Sequence, residues 1–138
     1  VIGLLCLLTD ESGHLIYLGA LQRMKYTAYL INVARGAIID QAALARALAS
    51  GEIAGCGLDA YDPEPIAADD PLLKLHNANL TPHALGYTDE MIRLCSELCV
   101  EAALKVRRGE EPASVINREV LESAKLKARM EGYRRQGD

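Results

Sequence analysis

Three polar residues stand out in this 138-residue sequence, because each follows a short apolar run with the look of a strand. Arg35 comes directly after Tyr29–Val33, Glu64 lies in the loop after Ile53–Leu58, and His83 stands just past Ala78–Thr81. An arginine in such a place can hold a carboxylate through two parallel N–H···O bonds. A histidine can pass a proton to a substrate oxygen near neutral pH, and a neighbouring carboxylate can hold its charged form and its tautomer. Anchor, proton donor and orienting group together form a set suited to acid–base chemistry on a small carboxylate. Taken singly, each residue has a plainer reading. Arg35 can be a surface arginine in the turn at Gly36, Glu64 can belong with Asp62 to a solvated acidic loop, and a lone histidine is usually structural or exposed. Their shared location past strand ends is what makes the set specific. Glu64 also sits between Pro63 and Pro65, which restrict the backbone on both sides of it.

The elements that must carry these residues follow from apolar periodicity and punctuation. Val1–Leu8 reads as a strand buried on both faces, followed by the polar break Thr9–Gly13. Leu18–Met24 has room for one or two helical turns. Tyr29–Val33 is a second strand and runs into Ala34-Arg35-Gly36. Asp40 is an N-cap for a helix over Gln41–Ser50, whose apolar face is Leu44, Ala45, Ala47 and Leu48, and Gly51 stops it. Ile53–Leu58 is a third strand ending at Asp59. Tyr61–Pro71 contains Pro63, Pro65 and Pro71 and reads as an ordered loop. Ala78–Thr81 is a fourth strand, closed by Pro82. Thr88 caps a long amphipathic helix reaching about Arg108, with Asp89 and Glu90 in its first turn and basic residues in its last, as the helix dipole favours. Gly109 ends it. A weak, charged helix is expected near Arg118–Met130, and a frayed end over Glu131–Asp138.

Strands alternating with helices predict an α/β fold, the C-terminal part of a doubly wound, Rossmann-like parallel sheet, followed by a long return helix and a tail. The expected division is residues 1–86 as the C-terminal part of a nucleotide-binding domain and 87–138 as return helix and tail, packing toward a further domain. Ligands of such sheets bind beyond the carboxyl ends of the strands, where the three candidate residues fall.

Composition narrows the function classes. Half of the chain is apolar, and its aromatic residues are all tyrosine. Fifteen basic against nineteen acidic residues give a net charge of −4, with no basic patch to mark a nucleic-acid partner. Val1–Leu8 is too short to span a bilayer and lacks the flanks of a signal peptide, so no membrane partner is expected. The run has no initiator Met and reads as a strand whose upstream context is missing, which suggests the C-terminal part of a longer protein. Cys6, Cys56, Cys95 and Cys99 have no metal-ligand spacing and apolar neighbours, and are expected to be buried free thiols in the cytoplasm. No metal site is expected, and His14 and His76 read as surface residues. The string Gly55-Cys56-Gly57-Leu58-Asp59-Ala60 matches a phosphate-binding fingerprint by letter. It lies inside a predicted strand and runs into prolines, whereas a true fingerprint follows a strand and opens a helix.

Three blocks, Ile31-Asn32-Val33-Ala34-Arg35-Gly36, Gly57-Leu58-Asp59-Ala60-Tyr61-Asp62-Pro63-Glu64-Pro65 and Leu80-Thr81-Pro82-His83, resemble in order and spacing the D-isomer-specific 2-hydroxyacid dehydrogenases. The resemblance runs from Val1 to about Gly109. It implies an NAD(P)-dependent oxidoreductase moving a hydride between NAD(P)H and a small 2-oxo or 2-hydroxy acid. It implies that Arg35 binds the substrate carboxylate, that His83 is the acid/base and that Glu64 tunes His83. It further implies a cofactor-binding set of Thr9, Val33, Ala34, Arg35, Asp59, His83 and Gly86, and a homodimer for the full-length form. NAD is the implied cofactor, with NADP open because the discriminating residue would lie upstream of Val1, as would the phosphate-binding glycines. The chain departs from the family pattern at Leu5 and Leu7, where a His and a Pro are usual, and at Leu85, where a small residue is usual. An alternative is an NAD(H)-responsive binding or scaffold module without turnover, and the isolated chain is expected to be inactive.

Overall fold

A computed structural model of the chain describes residues 1–136. The last two positions of the expected frayed end lie outside the described residues. The chain divides into two compact units, Val1–Gly86 and Tyr87–Asp138.

In the first unit, β1 (Ile2–Leu4), β2 (Tyr29–Asn32), β3 (Gly55–Leu58) and β4 (Ala78–Leu80) form one sheet in the order β1-β2-β3-β4. Every pairing is parallel, and the register aligns Leu4, Asn32, Leu58 and Leu80 across the sheet. The four strands therefore end on one line, and the residues that follow them share one edge. This is the Rossmann-like α/β arrangement expected from the alternation of elements.

Between the strands lie α1 (Leu18–Leu21) and α2 (Gln41–Ala49), which pack on each other. The Asp40 carboxylate accepts from the Ala43 amide at the start of α2, and Gly51 takes φ +73° just beyond its end. Ala43, Leu44, Ala45, Ala47 and Leu48 bury the inner face of α2 in a core with Leu21, Leu30, Ile38, Ile53 and Leu72. The β3–β4 connection contains no α-helix. It is a proline-rich loop and a 3-10 turn, Pro71–Lys74, begun by the Asp70 carboxylate accepting from the Leu72 amide. Gln41 orders this loop from the outside: its Nε2 donates to Asp70 and its Oε1 accepts from the Asp62 amide.

Two expectations need correction, one for this unit and one for the cysteines of both. The first strand is three residues long rather than eight, and only Leu4 of it is buried. Leu5 and Leu7, which follow the strand, are 81% and 83% exposed. Of the four cysteines only Cys56 is buried. It lies in β3, where burial pushes its thiol up to about 11. Cys6 follows the edge strand, and Cys95 and Cys99 stand on the outer surface of a helix, so apolar sequence neighbours did not translate into burial.

In the second unit α3 spans Asp89–Arg107. Thr88 Oγ1 accepts from the Met91 amide, and Gly109 (φ +70°) follows the C-cap. The ion pairs Arg93–Glu97 and Lys105–Glu101 lie along its surface. The helix expected over Arg118–Met130 is instead a 3-10 turn, Arg118–Glu122, followed by α4, Ala124–Gln136. Ser123, extended at the break, starts the second helix by accepting from the Lys127 amide through its carbonyl. Arg134 Nε donates to the Gly109 carbonyl, a tie that explains why the segment expected to fray is helical through Gln136. Among the described residues no helix is long and apolar enough to cross a membrane.

Candidate active site

The site is built at the aligned strand ends of the first unit. At the exit of β2, the fully buried Asn32 closes a tight turn on itself. Its Nδ2 donates to the Arg35 carbonyl at 2.8 Å and its Oδ1 accepts from the Ala34 amide at 3.0 Å. A buried amide at a strand end must find both partners, and here the two bonds fix how the chain leaves the sheet. The turn presents Arg35 at the surface, its Nη1 donating to the Ala34 carbonyl. Gly36 follows because nothing larger fits: a Cβ there would lie 1.9 Å from the Tyr61 carbonyl carbon. Val33 is 38% exposed and Ala34 half-buried.

At the exit of β3, Asp59 is 4% exposed and directs both carboxylate oxygens at the next strand's loop. Oδ1 accepts from Thr81 Oγ1 (2.6 Å) and the Ala84 amide (2.9 Å), and Oδ2 accepts from the Leu85 amide (3.1 Å). Burial pushes this carboxyl up, but the Thr81 hydroxyl, the two amides and the charge of His83 outweigh it and hold it below the ordinary value.

The loop so held carries His83, which takes φ +53°, a left-handed conformation unusual for a residue with a side chain. Its Nδ1 meets Glu64 Oε1 at 2.8 Å, with the two side chains 46% and 37% exposed. A carboxylate can only accept, so Nδ1 carries the hydrogen of this bond. Nε2 has no hydrogen-bond partner among the described residues. Both peptide bonds into Pro63 and Pro65, on either side of Glu64, are cis.

The structure thus pairs Glu64 with His83 and ties Asp59 to the loop on both sides of His83. Arg35 makes no hydrogen bond to either member of the pair and stands on its own turn. Thr9 is exposed, and its hydrogen bonds run to Ser12 and Gly13 within its own turn. Gly86, the last residue of the first unit, is exposed with nothing near the position of a Cβ. Gly55 and Gly57 lie within β3, so the fingerprint-like string is strand rather than phosphate loop. His14 and His76 are exposed, and among the described residues no cluster of His, Cys, Asp or Glu is arranged to hold a metal ion.

Sequence reading missed two supporting residues, Asn32 and Thr81. The available signal was a polar side chain inside an apolar run, Leu30-Ile31-Asn32-Val33, which a buried strand end tolerates only when it is fully hydrogen-bonded.

Fold and geometry define a Rossmann-like α/β domain with a histidine–carboxylate pair and an arginine at its strand ends. Residues 1–84 match the family model described as D-isomer specific 2-hydroxyacid dehydrogenase, NAD binding domain, and the chain belongs to that family. It is 46% identical over 114 residues to a glyoxylate reductase of Korarchaeum cryptofilum, covering 83% of this chain and 34% of that protein. A D-isomer specific 2-hydroxyacid dehydrogenase of Lactobacillus delbrueckii ssp. bulgaricus, solved in an NAD complexed form, superposes with a TM-score of 0.74 at 35% identity, covering 83% of this chain and 39% of that one. A relative from Xanthobacter autotrophicus, solved with NADPH and MES, gives a TM-score of 0.66 at 34% identity, covering 83% and 46%. The chain spans about a third of the length of the curated relatives it matches.

Proposed function

We propose that the full polypeptide carrying these residues is an oxidoreductase that interconverts a small 2-oxo acid and the matching 2-hydroxy acid with a nicotinamide cofactor. The observation that carries the reading is the His83–Glu64 pair, 2.8 Å apart at Nδ1, which leaves Nε2 without a partner in a half-exposed position. Glu64 orients the ring, and Nε2 delivers a proton to the substrate's carbonyl oxygen. Arg35 binds the substrate carboxylate with the guanidinium N–H groups not used by the Ala34 carbonyl. The bound nicotinamide supplies the hydride that, with this proton, turns the carbonyl into an alcohol.

The residues present suit the nicotinamide end of the cofactor. Asp59 accepts three hydrogen bonds of the roughly four a carboxylate can take, which leaves an acceptor position for a carboxamide N–H. Val33 and Ala34 lie beside Arg35 on the same turn, while Thr9 and Gly86 complete the proposed lining. NAD is the first choice, since one structural relative holds NAD, and NADP is the alternative, since another holds NADPH. Glyoxylate is the natural first substrate to try, given the names of the relatives. Four free cysteines suit a reducing compartment, the cytoplasm.

The test is steady-state kinetics of the full chain with glyoxylate and related 2-oxo acids. His83→Ala is expected to lower turnover by roughly 10²–10⁴-fold with NADH binding retained. Arg35→Ala should mainly raise the KM of the 2-oxo acid. Turnover unchanged in both variants would falsify the assignment.

A further inference from the structure

Tyr61 has no part in the reaction as described, yet it touches the exits of β2, β3 and β4. Its ring is buried, 7% exposed. Its hydroxyl lies 2.6 Å from the Thr81 carbonyl oxygen and 2.9 Å from that of Leu58. A phenol has one proton to donate, so it serves one of these acceptors at a time, and Thr81 is the nearer. The Leu58 carbonyl already accepts from the Thr81 amide at 3.0 Å, so β3–β4 pairing does not depend on the tyrosine.

The Thr81 carbonyl has a second donor, the backbone amide of His83 at 3.0 Å. The Tyr61 proton and the His83 amide therefore meet on one oxygen. His83 is also the residue held at φ +53°, a conformation that persists only where the surroundings impose it. On its other side, the Tyr61 main chain abuts Gly36, next to Arg35, and Glu64 follows three residues later. Burial pushes the phenol above its ordinary value, and the charge of Asp59 adds to this, so the hydroxyl remains a donor.

We propose that Tyr61 is a positioning residue for the acid–base pair: through the Thr81 carbonyl, its hydroxyl holds His83 in the left-handed conformation from which the ring reaches Glu64. The kinetic consequence rests on the dehydrogenase reading, whereas the structural consequence does not.

Tyr61→Phe in the full chain tests it, since the ring and its packing remain. Turnover is expected to fall about five- to tenfold, the size of one hydrogen bond's contribution. The KM of NADH and the thermal midpoint should stay close to wild type, and the primary isotope effect with 4-deuterated NADH should rise as the chemical step becomes slower. A merely structural tyrosine would move the midpoint and leave the isotope effect alone. Independently of activity, the His83 ring signals in a ¹H–¹³C NMR spectrum, assigned with His83→Gln, should shift or broaden in the variant. Wild-type turnover with unchanged kcat and unchanged His83 signals in Tyr61→Phe overturns the proposal. If the wild type turns over no 2-oxo acid, the dehydrogenase reading fails, and the His83 spectrum alone decides the role of Tyr61.

Discussion

The exit of β1 and the exits of the other three strands lie on the same register line but are held in different ways. Past β1, Leu5, Leu7 and Leu8 are 81%, 83% and 43% exposed, and among the described residues the side-chain hydrogen bonds of Leu5–Gly13 are local ones among Leu7, Thr9 and Ser12. Past β2, β3 and β4, buried side chains lock the chain: Asn32 closes the Arg35 turn, Asp59 holds the His83 loop, and Tyr61 reaches the Thr81 carbonyl. Hydrogen bonds out of water resist opening because the alternative is an unpaired buried group, whereas those in water exchange with solvent at little cost. The residues proposed for the chemistry, Arg35, Glu64 and His83, are presented from the locked exits. Thr9, proposed only to line the crevice, is on the loose one. A sheet edge can thus be uniform in register and uneven in how its exits are held, with the residues proposed for the chemistry on the exits tied by buried side chains.

The comparison can be broken most directly at Gly36. Gly36→Ala forces a Cβ against the Tyr61 backbone, and we expect a loss on the order of 3 kcal/mol or more in urea unfolding. A variant as stable as wild type would show that the β2 exit is not packed as described.

Asn32→Ala is the next largest change. It leaves the Ala34 amide and the Arg35 carbonyl without their partner, at a cost of about 1–3 kcal/mol. Because the turn carries Arg35, the KM of the 2-oxo acid should rise by a larger factor than kcat falls. Equal effects on both would mean that Asn32 supports the fold without directing Arg35.

Ser12→Ala sharpens the contrast from the loose side. It removes the hydroxyl that bridges Leu7 and Thr9 in an exposed turn, and the midpoint of unfolding should move by no more than about 0.5 kcal/mol. A cost comparable to that of Asn32→Ala would mean that the β1 exit is held as firmly as the rest.

Much of this is legible in the sequence. The caps Asp40 and Thr88, the stop at Gly51 and the strands around Leu30 and Leu58 depend on neighbours a few residues away, and they fall within one to three positions of the periodicity-based reading. The candidate triad was legible from residue type and from its place after strands. Length and burial were less so. Val1–Leu8 has the composition of a buried strand, but composition does not fix how many residues pair, and only Ile2–Leu4 are aligned with β2. Cys95 and Cys99 illustrate the same limit, since helical spacing shows that a face is apolar and not what covers it.

From the sequence alone came the alternating α/β pattern, the family resemblance and the candidacy of Arg35, Glu64 and His83, because all three rest on local order along the chain. The tertiary structure alone decided how those residues are held. The His83–Glu64 bond joins positions 19 apart, the Tyr61–Thr81 bond 20 apart and the Asp59–Ala84 bond 25 apart. Such contacts exist only once parallel pairing has brought the ends of β3 and β4 side by side, and no periodicity or cap along the chain encodes them.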